Sequence, residues 1–315
     1  MKIPRVYSKK GGKKMAQKSN RINRSKSDKT LNTITFVILA IVLILVGYPL
    51  LYVISASFSS SKALAAGRVM LFPVDPTLAG YQFVMQYKDV WIGFKNSVIY
   101  TVLGVLTTIT MQILLAFPLS RRRYQGRNLV AAIFIVAMMT SPGMIPNFLV
   151  RVNILGLYGS PLAVILNGVL GLSGIMILRT AFNSVPEDLY EAAEIDGASP
   201  FYQMIRIAVP LSKATIGVLM LYAFVGCWND YFSAMIYLPD SAMHPLSLVL
   251  RTILTAAQQL DTASVSSSEM MALIGDGTQQ VKYCLIIVST VPVLLMYALV
   301  QKNFKKGLMM GAVKG

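Results

Sequence analysis

The chain has 315 residues, 55% of them hydrophobic and only 13% charged, with a mean hydropathy of +0.60 and a net charge of +16. That much apolar side chain cannot be hidden in the core of one soluble domain, which points to an all-α membrane protein. A single histidine and two cysteines exclude a metal or catalytic constellation built on those residues, so an enzyme is not expected.

The first thirty residues carry eleven Lys and Arg (Lys2, Arg5, Lys9, Lys10, Lys13, Lys14, Lys18, Arg21, Arg24, Lys26, Lys29) against Asp28, which is 11 − 1 = +10 of the net +16. Ser, Asn, Gly and Lys dominate this stretch, a composition that cannot bury a core, so residues 1–30 read as a disordered basic cytoplasmic tail that anchors topology, of a kind that can also bind anionic headgroups. No aromatic interleaving accompanies the charges, and nucleic acid is not an expected partner.

Six apolar stretches follow, each near the roughly 20 residues that a membrane span needs. The first, Thr33 to Ile54, has no charge, and its length and long basic leader set it apart from a cleaved signal. The second is near Ser97 to Leu119. The third runs from about Leu129 into Pro142 and Pro146, where two prolines with Ser141 and Gly143 predict a break that frees backbone carbonyls. The fourth lies near Pro161 to Leu178, the fifth near Ser212 to Leu238 and the sixth near Val281 to Val300. Cys227 and Cys284 fall in the last two spans, as packing residues.

The positive-inside rule puts the N-terminus in the cytoplasm. Six spans then place Arg121, Arg122, Arg123 and Arg127, the segment with Arg206 and Lys213, and the closing Lys302, Lys305, Lys306 and Lys314 on that same side, giving an N-in/C-in topology. The segments left outside, about 55–95, 151–160 and 239–280, hold scattered single charges. The last contains His244, expected to be solvated, and a short helix near Leu246 to Gln258.

Between the fourth and fifth spans lies a hydrophilic insert. Five of the chain's 13 acidic residues, Glu187, Asp188, Glu191, Glu194 and Asp196, fall within ten positions. Its pattern predicts helix, turn, helix. Ser184 is one plausible cap, Pro186 suits a first turn, and the helix should start near Val185. Gly197 can take positive φ at its end, Ser199-Pro200 opens a second helix, and Pro210 closes it. Ala192 and Ala193 leave a bare face that a partner surface can approach closely. The fifth span holds a second polar cluster, Trp228-Asn229-Asp230-Tyr231. It is read first as helix-packing residues; all four, Trp228, Asn229, Asp230 and Tyr231, are the substrate-pathway candidates, Asn229 and Asp230 foremost, if this part of a pore meets substrate.

In this insert the chain resembles the membrane permeases of ATP-binding-cassette (ABC) importers. Glu191-Ala192-Ala193, Gly197, Ile207 and Pro210 stand at the spacing of that family's cytoplasmic signature, with Val209 where Leu is usual. The ending Gln301-Lys302-Asn303-Phe304-Lys305-Lys306-Gly307-Leu308, then Gly311-Ala312-Val313-Lys314-Gly315, is similar to that of the second permease of carbohydrate importers, the maltose-permease-partner group.

The resemblance covers residues 31–315, with an importer core at about 92–301 and coupling helices at about 185–210, and it implies the type I importer permease fold. It also implies the partners: a second, different permease, a dimer of ABC ATPases, an extracytoplasmic solute-binding protein, and a carbohydrate substrate, all at a bacterial cell membrane. Glu191, Ala192, Ala193, Asp196, Gly197, Ile207 and Pro210 become the ATPase-coupling residues, with Glu191 meeting basic residues of the ATPase. The 239–280 segment corresponds to the part that touches the binding protein. No phosphate-binding loop occurs in the chain, so no cofactor is expected in it, and ATP with Mg belongs to the partner. An importer for another solute, or an ion-coupled secondary transporter, is the alternative.

Overall fold

The computed structural model describes residues 26–140, 143–262 and 278–311, and among them the architecture is helical, with one isolated bridge between Ser59 and Pro76. The chain separates into two units, Met1–Leu50 and Leu51–Gly315. The basic tail lies almost wholly outside the described residues.

The first unit contributes the start of helix α1 (Lys26–Ser57). Its stretch Thr30–Ser57 has 28 residues, about 42 Å at 1.5 Å per residue and ample for a roughly 30 Å hydrocarbon layer. Phe36, Leu43, Ile44 and Leu45 stand exposed along it, the pattern of a helix whose solvent is lipid.

In the second unit, short helices α2 (Ser61–Ala65) and α3 (Ala79–Gln86) lead into α4 (Lys88–Ser120). There follow α5 (Arg127–Met139), α6 (Met144–Ile154), α7 (Leu162–Ile165), α8 (Leu172–Asn183), α9 (Glu187–Ile195), α10 (Pro200–Leu211), α11 (Lys213–Trp228), α12 (Tyr231–Tyr237), α13 (Leu246–Thr262) and α14 (Thr278–Gly311).

Helix α4 is the axis of this unit, because all three hydrophobic clusters use it: Val90 in one, Tyr100 in a second, and Val105, Ile109 and Phe117 in the third. What lets its neighbours approach is a stripe of small and polar residues at helical spacing: Gly93, Ser97, Gly104, Thr108 and Gln112, all buried. A Cβ on Gly93 would lie 3.1 Å from the backbone N of Leu246, and one on Gly104 would lie 2.9 Å from Cys227 Sγ. Ser97 Oγ accepts the Leu246 N–H at 2.8 Å, satisfying a buried donor at the start of α13.

A second polar knot ties the far ends of the sequence. The buried Gln280 amide accepts from Gly80 N at 3.0 Å through Oε1, and through Nε2 it donates to Ser57 O at 3.0 Å and Thr77 O at 2.8 Å. Every hydrogen-bonding direction of that amide but one is thereby used, as burial demands.

Among the described residues three helical segments are long and apolar enough to cross a membrane, Thr30–Ser57, Lys88–Ser120 and Gln279–Leu299, and up to five if each bent pair counts as one span. They contain the expected first, second and sixth stretches. The fourth and fifth stretches are not single helices. Between α7 and α8 the chain turns at 166–171, where Val169, Gly171 and their neighbours make single-turn hydrogen bonds, and Gly168 and Gly171 weaken helix continuation. The fifth is interrupted at Asn229 and Asp230, because the Asp230 carboxylate caps a new helix by accepting Ser233 N at 3.0 Å. In the third, Ser141 and Pro142 lie outside the described residues, and α6 starts after Gly143 at φ +80°. The expected short outer helix is present as α13.

His244 is half-buried rather than solvated. Its Nε2 lies 3.1 Å from Leu238 O and ties the turn between α12 and α13.

Candidate functional site

The acidic insert is a knob of two short helices set against the C-terminal end of α4. The expected start near Val185 moves to Glu187, and Ser184 is not the cap: Pro186, at φ −54° and ψ 133°, takes that position without a side-chain acceptor. Glu187 and Asp188 then occupy the first turn, where the helix dipole favours them. The other end follows the sequence reading. Gly197 sits at φ +78°, Gly197 N bonds Glu194 O at 3.0 Å, and Ala198 N bonds Ala193 O at 2.8 Å, a Schellman stop that needs its glycine.

Ser199 Oγ caps α10 by accepting Tyr202 N at 3.3 Å, with Pro200 in the first turn. Pro210 does not end α10. A π turn over Met204–Ala208 absorbs the missing N–H, the helix reaches Leu211, and the 84° bend falls at Ser212.

The knob is fastened by residues that the signature does not include. Arg121, just past α4, grips Glu187 with both arms, Nη2 to Oε1 at 2.7 Å and Nη1 to Oε2 at 3.2 Å. The same guanidinium lies 3.6 Å from the centre of the Tyr190 ring, which is 1% exposed and rests on Phe117 with centroids 6.3 Å apart. Arg123 pairs with Glu194. Burial raises the pKa of the Tyr190 hydroxyl and the Arg121 charge opposes it, with a net rise.

Glu187, Glu191 and Glu194 share one cleft with Arg121 and Arg123, yet only Glu187 and Glu194 are paired. Glu191 is exposed with no ion pair among the described residues, beside exposed Ala192, half-buried Ala193 and exposed Asp196. Leu189, Ile195, Phe201 and Tyr202 are exposed around it, Ile195 at 88%, whereas Ile207 packs inward. The knob thus presents a free carboxylate amid uncovered apolar side chains.

The second site lies between α4, α8 and α11, a cavity of about 580 Å³. The run Trp228 to Tyr231 does not face it as one unit, because the helix breaks within the run. Trp228 is 4% exposed, stacked on Phe224 and edge-on to Phe94, and its indole N–H donates to Ser289 O at 2.9 Å. It is a packing residue. Tyr231 lies under the Arg251 guanidinium at 4.5 Å and lines a separate cleft.

Asn229 and Asp230 do line the cavity. Asn229 Nδ2 is turned back on Val225 O at 3.0 Å. Asp230 Oδ2 accepts from Asn167 Nδ2 at 2.7 Å, and that amide also reaches Ser233 Oγ at 2.8 Å. Asp230, the intramembrane carboxylate that an ion-coupled mechanism would call on, is engaged here in a helix cap and an amide contact. Sequence reasoning missed Asn167, Thr108 and Gln112. The last two fall four apart within an apolar helix and were legible as its polar stripe.

Apolar helices of spanning length, a cavity between them with a few polar side chains in a mostly apolar lining, and an ion-paired knob at the end of one define a multi-pass membrane permease, a transport component rather than an enzyme. Residues 112–310 match the family described as binding-protein-dependent transport system inner membrane component, and the chain belongs to that family. Protein LplC of Bacillus subtilis (strain 168) is 36% identical over 85% of this chain and 89% of its own length. The polygalacturonan/rhamnogalacturonan transport system permease protein YtcP of the same strain is 34% identical over 85% and 92%. A chain from the crystal structure of a bacterial ABC transporter involved in the import of the acidic polysaccharide alginate is 31% identical, covers 89% of this chain and 98% of its own, and superposes with a TM-score of 0.80. The fold is that of an ABC importer permease, and its place is the cell membrane.

Proposed function

We propose that this permease forms half of the transmembrane pathway for a carbohydrate, an oligosaccharide, handed over by an extracytoplasmic binding protein and driven by a separate ATPase dimer that binds ATP and Mg. The observation that carries the substrate class is the naming of relatives as transporters of polygalacturonan or rhamnogalacturonan, galactooligosaccharides, and trehalose or maltose. A mostly apolar cavity that carries the amides of Gln112, Asn167 and Asn229 and the ring of Tyr222 suits a ligand with both hydroxyls and C–H faces. A second, different permease supplies the other wall.

The basic clusters support six spans with both termini in the cytoplasm, the broken segments α7–α8 and α11–α12 each making one crossing. Residues 1–30 are the basic cytoplasmic tail and residues 31–315 the permease domain, with its importer core at about 92–301. The 185–210 knob then faces the ATPase. Glu191, Ala192, Ala193 and Asp196 make the docking surface, Gly197 sets its angle, and Ile207 and Pro210 anchor it to the bundle. Supporting this reading, Glu187 and Glu194 are held by arginines of this chain while Glu191 is left for a partner's cation. The segment containing α13 meets the binding protein.

The test is uptake into proteoliposomes holding the complete complex and ATP, with the binding protein outside. Accumulation of a labelled oligosaccharide, and not of a labelled peptide, is expected. Uptake of peptide or amino acid alone would overturn the carbohydrate reading.

A further inference from the structure

We infer that this chain's own wall of the pathway is a subsite for an uncharged sugar ring, built from Thr108, Gln112, Asn167 and Asp230 with Tyr222 as its apolar face. The inference rests on the carbohydrate reading above and adds where, and in what charge state, the sugar is held.

The cavity, at about 580 Å³, falls within the usual range for small-molecule sites, roughly 300–1,000 Å³. Two of its lining side chains carry unanswered hydrogen-bonding groups. Thr108 and Gln112 are each 5% exposed, and neither Thr108 Oγ1 nor Gln112 Oε1 has a partner among the described residues. Four residues apart on α4, they share one face. Native structures rarely leave buried polar atoms so, and each calls for an explanation; here the two fall together in the lining of one cavity, where a polar ligand would supply their partners.

The amide is seated there by glycines. A Cβ on Gly174 would stand 2.3 Å from Gln112 Nε2, and one on Gly171 would stand 2.8 Å from it. No other residue type at either position leaves room for the amide as placed. Gln112 Nε2 donates only at 3.4 Å, to Gly171 O, and the terminal torsion of Gln is broad, so the amide can rotate to present Oε1 to a ligand.

Elsewhere in the lining, Asn167 holds Asp230 Oδ2 at 2.7 Å, and Asp230 Oδ1 accepts Ser233 N at 3.0 Å. Each carboxylate oxygen keeps a further lone pair for a donor. Tyr222, 69% exposed, offers a ring face to the apolar C–H patch of a sugar.

Charge fixes the class of ring. The lining residues include one carboxylate and no Lys or Arg. The guanidinium of Arg151, which bonds Ala163 O at 3.2 Å and Asn167 O at 3.4 Å, is turned to those carbonyls and is not part of the lining. A hydroxyl can donate to Gln112 Oε1 and Asp230. A uronate carboxylate can only accept, and it would face the like charge of Asp230. Although two relatives are named for acidic polysaccharides, this wall selects the neutral ring.

The test uses the complete permease–ATPase complex in nanodiscs without the binding protein, so that only the membrane site is probed. Saturation-transfer NMR compares an α-1,4-linked galactose tetrasaccharide with the α-1,4-linked galacturonic acid tetrasaccharide, which differ only at C6, by a hydroxymethyl against a carboxylate. The neutral probe is expected to give a signal at least about fivefold the stronger. Gln112→Ala, Asn167→Ala and Tyr222→Ala should each reduce it about threefold or more, and Asp230→Asn should raise the galacturonan signal towards the neutral one. Tyr222→Ala alters an exposed side chain, so its effect is not a folding effect. Equal signals for the two probes, no signal for either, or a neutral signal indifferent to these substitutions would overturn the subsite. Sugar-loaded binding protein that still stimulates ATP hydrolysis would then show that the importer reading survives without it. Absence of that stimulation with every sugar would sink the importer reading itself.

Discussion

Arg121 holds Glu187 in a two-armed ion pair at 2.7 and 3.2 Å while its guanidinium covers the buried ring of Tyr190 at 3.6 Å. One side chain at the end of α4 thus joins the axis of the bundle to the first turn and the underside of the knob. A force applied to the knob reaches α4 through this contact.

Replacing Arg121 by Ala should therefore cost about 2 kcal/mol, since it removes a charge-assisted bidentate pair and a shielded cation–π contact together. Glu187→Gln, which keeps the ring contact, should cost about half as much. Thermal unfolding of the two single variants and of the double variant checks this, and additive effects would count against a shared clamp.

The Tyr190 hydroxyl has a pKa above its ordinary 10.0, raised first by burial. A raised folded-state value means that the neutral phenol's contribution is complete below pH 10 and falls as pH climbs from 10 through the folded value, because the unfolded chain loses its proton first. Knob stability should be flat in this respect across pH 6–9 and decline above 10. Tyr190→Phe keeps the ring under Arg121 and should remove that alkaline decline, as measured by thermal melts against pH.

A Cβ on Gly174 would stand 2.3 Å from Gln112 Nε2 and 2.6 Å from its Cδ, so Gly174→Ala should push the flexible amide aside and destabilise the protein by about 1 kcal/mol. Gln112→Ala in the same chain should restore much of the loss by opening the space. A double variant no better than Gly174→Ala alone would show that the clash is not with Gln112.

Trp228→Phe should cost about 1 kcal/mol through the lost bond to Ser289 O and leave the order of preference among transported sugars unchanged, since the ring stays on Phe224. Altered preference in a competition uptake assay would return Trp228 to the pathway.

Local signals in the sequence reported the knob well. Gly197 needed positive φ, Ser199-Pro200 needed an open helix end, and both behave so because caps are decided by neighbouring residues. The polar cavity was less legible. Asn229 and Asp230 were visible as polar residues in an apolar run, but the break that separates them from Trp228 arises because Asp230 caps α12 and bonds Asn167, 63 positions away. Arg121 read as one of several topology charges. Its tie to Glu187 is a long-range contact that no periodicity encodes.

Docking of a rigid knob on an ATPase is the central claim, and ATP hydrolysis by the assembled complex in nanodiscs measures it most directly. Sugar-loaded binding protein should stimulate the wild-type complex, whereas Gly197→Pro or Glu191→Lys should abolish the stimulation with membrane insertion intact. Full stimulation in either variant would contradict the account.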